Sequence, residues 1–285
     1  MIFAPGFLTN GPVLTAIVVG GGAAIVSGVV GVFTIMRGQS FAGHAVADVS
    51  SAGGSASFLL GVNPLLGFTG MAVIAAAIMG FADMRDPRER DLLTGIVLGA
   101  GLGLTALFLY FDITSMSTSG AAITVLFGSM FSIPAAIIPL TLTVAAGAIA
   151  AIVAAYRPLL VSSLSAELAE VQGVRSRLIG LVYVLALSLA VALSAMTIGA
   201  ILSTALLIGP AAAALRLANR PGWAVVLAVA IGLAATWGGI LLAYDSFYWT
   251  PGHGWPVSFF IVTLVLVFYV MAAVLRAHPA EVRGT

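Results

Sequence analysis

The sequence predicts an all-α, polytopic integral membrane protein, and three observations carry that prediction. Hydrophobic residues make up 61% of the 285 and charged residues only 7%, where a soluble domain carries about 25% charged residues. The mean hydropathy is +1.18. Apolar runs of about 20 residues, enough to cross roughly 30 Å of hydrocarbon, recur along the chain between short turns that hold the charges. About nine such runs can be read, forming one transmembrane domain over 1–285.

The first span covers about 12–36, opened by Asn10 and Pro12 in cap and first-turn positions. The preceding MIFAPGFLTNGP lacks the basic region and small-residue cleavage site of a signal peptide, so this run is read as a retained span. Met36, Arg37 and Gly38 turn the chain into a second span, about 40–61. A third, about 64–82, ends at the most charged segment, Asp83 to Asp91.

The fourth span, about 92–111, stops at Asp112 before a Ser/Thr-rich linker. Residues 121–131 are apolar but too short to cross, which predicts an interfacial or re-entrant helix. A fifth span, about 134–156, closes at Arg157 and Pro158 and is followed by a polar insert, 159–177. The remaining spans are about 178–196, 198–218, 222–243 and 257–275.

Arginine placement tests this count, because basic residues are retained in cytoplasmic loops. With Arg37 inside, nine crossings put all eleven Arg on the cytoplasmic side, whereas a crossing at 121–131 would divide them. The N-terminus is therefore expected outside and the C-terminus in the cytoplasm. Tyr244, Tyr248, Trp249 and Trp255 fall at the outer interface.

Composition also excludes functions. The net charge of +1 with no basic run gives nucleic acid no electrostatic hold. The chain has no Lys, so it cannot form a phosphate-cradling Walker loop, and energy from ATP would have to come from another subunit. No Cys is present, so any metal must meet imidazole, carboxylate or carbonyl. The HExxH protease pattern is missing and no serine sits in a nucleophile turn. The chemistry left is transport, not catalysis.

The sharpest local signal is in the second span, SFAGHAVADVSSAGGSASFLLG, where His44 and Asp48 stand four residues apart. On a helix they share one face. An acid in hydrocarbon costs roughly 2.5–3.5 kcal/mol even on lenient insertion scales. Counting from Arg37 at about 1.5 Å per residue puts Asp48 roughly 16 Å deep, near the membrane centre. Imidazole plus carboxylate at this spacing suits a transient site for zinc, manganese or ferrous iron. A buried His–Asp hydrogen bond that only pins helices fits the same residues.

Other candidates are weaker. Asp245, at the outer end of the eighth span, could attract cations at an entrance or merely cap a helix. Pro210 inside the seventh span removes a helical donor and predicts a kink. His253 and His278 are expected in an outer turn and a solvated tail. The insert SSLSAELAEVQG reads as a short helix, with Ser165 as N-cap, Glu167 and Glu170 in its early turns and Gly173 as its stop.

These residues together resemble the permease subunits of the zinc and manganese uptake ABC transporters, from about Val29 to Ala273. In that family the second span reads approximately S-L-x-G-D-A-x-x-H-A-V-x-P-G before small residues and F-L-L-G. Here it is Ser40-Phe-Ala-Gly-His44-Ala-Val-Ala-Asp48-Val-Ser-Ser-Ala52-Gly53, then Phe58-Leu-Leu-Gly61. Further matches are Leu126-Phe-Gly128, Ala166-Glu-Leu-Ala169 leading to Gly173-Val174, Gly199-Ala-Ile-Leu202 and Ala205-Leu-Leu-Ile-Gly-Pro-Ala-Ala212. The order of the pair is exchanged relative to the family, the family's proline is Ala52, and the acid that usually opens the cytoplasmic helix is Ser165.

The resemblance implies a homodimeric permease in the bacterial plasma membrane. Its expected partners are cytoplasmic ATP-binding subunits and an extracellular metal-binding protein. The divalent metal would be cargo, with no permanently bound cofactor, and 159–177 would couple transport to the ATPase through Ser165, Glu167, Glu170 and Gly173. Two other readings stay open: a stand-alone secondary transporter or channel relaying protons through His44 and Asp48, and an ABC permease for a metal chelate.

Overall fold

A computed structural model describes residues 6–81, 87–115, 119–249 and 254–277. Twelve α-helices and three short 3-10 turns account for the regular structure, with no strand among the described residues. The helices are α1 (Gly11–Met36), α2 (Ser40–Leu60), α3 (Pro64–Phe81), α4 (Pro87–Ser115), α5 (Ser119–Phe127) and α6 (Ile138–Ala154). They continue with α7 (Tyr156–Leu164), α8 (Ala166–Val171), α9 (Ser176–Ile198), α10 (Ala200–Leu217), α11 (Pro221–Trp249) and α12 (Val257–Ala277). Seven of them are long and apolar enough to cross a membrane: α1, α4, α6 with its preceding turn, α9, α10, α11 and α12.

The other two expected spans are also helical but differ in kind. α3 is short, its apolar part running over Pro64–Gly80. α2 has the length, but Ser, Gly, His and Asp dilute its hydropathy. That dilution follows from its position. α2 packs against α3, α4, α5, α9 and α10, and small side chains let membrane helices approach closely. A Cβ at Gly101 of α4 would collide with the Val49 nitrogen and Asp48 carbonyl carbon of α2, so only glycine fits that crossing.

Burial separates central from peripheral helices. The most apolar windows of α1 and α9 are 67% and 61% buried, while those of α4, α6 and α12 are 28% buried. The peripheral helices turn large apolar side chains outward, among them Leu92, Ile96 and Leu107 on α4 and Leu266, Val270 and Val274 on α12. In hydrocarbon such exposure carries no hydrophobic penalty.

Three sequence expectations need correction. The fourth span does not stop at Asp112: α4 continues to Ser115, and Asp112 is fully buried within it. The expected outer-loop acid is thus an interior one, because the helix follows a stripe of buried positions beyond the last apolar run. The fifth span does not run on to residue 156; α6 ends at Ala154 and α7 opens at Tyr156, with Pro158 in the first turn where no helical donor is needed. The insert is not a single short helix: α7 runs into it as far as Leu164, and the expected helix capped by Ser165 follows as α8.

α5 neither crosses the bundle nor lies apart from it. Ala121 and Val125 are buried, and the helix contacts α2, α4, α9 and α10. α10 remains helical through Pro210, which is buried. His253 and His278 lie outside the described residues, as do 82–86 of the charged loop.

Candidate metal-ion passage on α2

His44 and Asp48 occupy one face of α2, with His44 Nε2 3.8 Å from Asp48 Oδ2. Their side chains are 44% and 6% exposed, so the imidazole reaches an open surface while the carboxylate is enclosed. At 3.8 Å no hydrogen bond joins them, and Asp48 Oδ2 is buried with no hydrogen-bond partner. The expected pinning bond is therefore not what the geometry holds. Two ligand atoms each about 2.1 Å from one ion stand roughly 3.0–3.4 Å apart at ordinary bond angles, so a small rotamer change would let both reach the same ion. Among the described residues no third His, Asp or Glu joins them.

The backbone around Asp48 is pinned by hydroxyls. Its carbonyl oxygen lies 2.7 Å from Ser51 Oγ and 3.2 Å from Thr105 Oγ1, and those two hydroxyl oxygens are 2.8 Å apart. Ser55 Oγ donates to the Ser51 carbonyl at 2.9 Å. On the opposite side of α2, Ser50 Oγ donates to the Phe68 carbonyl of α3 at 2.8 Å. The acid is thus carried on a helix fixed from two sides while its own side-chain oxygen stays free. Reading the sequence singled out neither Ser51 nor Thr105. The signal was there in the spacing: Thr94, Val97, Gly101, Thr105, Leu109 and Asp112 form the single buried stripe of α4 at helical period.

At the Arg37 end of α2 a second arrangement joins it to the insert. The Arg37 guanidinium lies 5.0 Å from the Tyr183 ring centroid of α9 and donates through Nη1 to Ser162 Oγ of α7 at 2.9 Å. Tyr183 OH donates to Thr34 Oγ1 of α1 at 3.0 Å. Burial pushes the Arg37 guanidinium below its usual pKa, with Tyr183 opposing that shift and Arg90 adding to it. It stays protonated at any physiological pH.

The expected α8 signals are present as geometry. The Leu168 N–H donates to Ser165 Oγ at 3.3 Å, an N-cap bond. Gly173, at φ 71°, ends the helix as the Val174 N–H closes onto the Ala169 carbonyl at 2.9 Å. Glu167 lies in the first turn and is exposed; Glu170 occupies the last. Asp245 is not on the surface: it is fully buried inside α11, which runs on to Trp249.

A multi-helix membrane bundle with an ionisable pair on an enclosed, small-residue helix fits the class of membrane transport proteins. Within that class, the chain belongs to the ABC 3 transport family, whose model matches residues 11–275. It is 29% identical over 244 residues to the manganese transport system membrane protein MntC of Listeria innocua, covering 86% of each chain. It is 25% identical to the high-affinity zinc uptake system membrane protein ZnuB of Haemophilus influenzae, covering 78% of this chain and 85% of that one. Its fold matches a chain of the solved PsaBC from Streptococcus pneumoniae in complex with Fab, at TM-score 0.79 and 26% identity, over 94% of this chain and 92% of that chain.

Proposed function

We propose that this chain, acting as one permease unit over 1–285, is the membrane subunit of an ATP-driven importer of a divalent metal ion, zinc, manganese or ferrous iron. His44 and Asp48 hold the ion transiently in its passage. One observation carries this reading: a buried carboxylate oxygen with no hydrogen-bond partner, 3.8 Å from an imidazole on the same helix. A site meant only for packing would have closed that gap, because a buried unpaired acid is expensive. Two protein ligands are fewer than a structural site uses, and that shortfall suits release.

The relatives named for manganese and zinc transport support a first-row divalent cargo. Arginines on one side of the membrane favour nine crossings with the N-terminus outside. Two copies side by side, an external metal-binding protein and cytoplasmic ATP-binding subunits complete the proposed transporter in the bacterial plasma membrane. The capped α8, with Ser165, Glu167, Glu170 and Gly173, is the element offered to the ATPase.

The test is uptake of radioactive manganese or zinc into proteoliposomes holding permease and ATPase. Asp48→Ala should assemble and fail to accumulate metal. Full transport by that variant would remove the pair from the passage.

A further inference from the structure

Asp112 is one of two further interior acids, with Asp245, that the proposed passage leaves unused. Its residue is 0% exposed, and both carboxylate oxygens are buried without a hydrogen-bond partner. A bare carboxylate in such a place is costly unless a cation or a proton joins it. The only other carboxylate oxygen in this condition among the described residues is Oδ2 of Asp48.

One buried stripe of α4 runs from the neighbourhood of Asp48 to Asp112. Asp112 lies on the buried stripe of α4, two turns beyond Thr105, which itself meets Asp48 and Ser51 of α2. Gly101 meets α2 at Asp48 and Val49 and Thr105 meets it at Asp48 and Ser51, an order that fits helices running in the same direction. Seven residues at about 1.5 Å each then place Asp112 about 10 Å from Thr105, away from the Arg37 end. On α2, Ser51 and Ser55 follow Asp48 on the same face and are buried. Their hydroxyls donate to backbone carbonyls, which leaves oxygen lone pairs along the seam. Oxygen donors of this kind suit hard divalent cations.

We infer that Asp112 is a second cation station in the α2–α4 seam, outward of His44 and Asp48, which receives a divalent cation and passes it along Ser55, Ser51 and Thr105 to the pair. The inference rests on the proposed passage at His44 and Asp48. α4 is peripheral, with only this stripe buried, so a small displacement of its far end opens Asp112 without disturbing the α2 hub.

Asp112→Asn keeps shape and removes charge. In proteoliposomes with the ATPase, the half-saturating manganese concentration for uptake should rise about tenfold, the size of one interaction of about 1.4 kcal/mol, and Asp112→Glu should restore it. Unchanged half-saturation, or a lower maximal rate at unchanged half-saturation, would show a protonated structural acid and overturn the inference. A second measurement needs no variant: labelling of Asp112 in wild-type permease by a hydrophobic carbodiimide, read by peptide mass, should slow in saturating manganese. Labelling insensitive to metal also overturns it. Wild-type uptake separates the two levels, since its failure removes the passage itself, whereas normal wild-type uptake with a silent Asp112→Asn removes only the second station.

Discussion

Arg37, half-buried in the turn before α2, and Asp48, buried midway along α2, are treated in opposite ways. Arg37 is engaged on two sides, over the Tyr183 ring and bonded to Ser162, with Nε buried and unbonded. Asp48 keeps its backbone tied and its carboxylate oxygen unpaired. The difference separates a charge used as a joint from a charge left without a hydrogen bond. A cation spread over a ring and a hydroxyl ties helices together, whereas Asp48 sits on a tied helix with its buried carboxylate oxygen outside any hydrogen bond, as the proposed passage requires.

The largest break in this contrast should come from Asp48→Ala, which removes the counter-charge acceptor and leaves the packing. Metal accumulation should fall to that of empty vesicles while the protein still elutes as an assembled complex. Gly101→Val attacks the rigidity instead. Its side chain would meet the α2 backbone at Val49, so overpacking should cost about 1–3 kcal/mol and lower the melting temperature in detergent. Uptake should fall with it.

Arg37→Ala tests the joint. Loss of the ring contact and the charged hydrogen bond should cost about 1–3 kcal/mol, and ATP hydrolysis should lose its dependence on metal while metal binding stays near wild type. Equal damage to binding and coupling would erase the distinction between the two charges. Ser165→Ala removes one cap bond, worth about 1 kcal/mol, and should weaken co-purification of the ATPase only modestly. The smallest effect is expected from the double exchange His44→Asp and Asp48→His. It preserves ligand types and spacing, so the ratio of manganese to zinc uptake should hardly move.

The His44/Asp48 pair, the Ser165 cap and the Gly173 stop were legible in the sequence because each depends on residues within a turn or two of one another. The helices were legible from apolar length. Asp112 was not, since the apolar run ends before it and its burial depends on tertiary packing against α4. Asp245 was misplaced toward the surface for the same reason, α11 continuing past the last apolar residues to Trp249. The Arg37 joint was invisible because Tyr183 and Ser162 are distant in the chain and meet only through tertiary packing. Local chemistry is written locally, while the closing of a helix face over an acid is written in its neighbours.

The central claim is that His44 and Asp48 together touch a divalent cation. Frozen permease loaded with manganese(II) and examined by pulsed electron paramagnetic resonance tests this directly. Nitrogen modulation from a coordinated imidazole is expected, lost in His44→Gln, with the bound manganese itself diminished in Asp48→Asn. Nitrogen modulation that survives His44→Gln, or manganese bound equally well by Asp48→Asn, would contradict it.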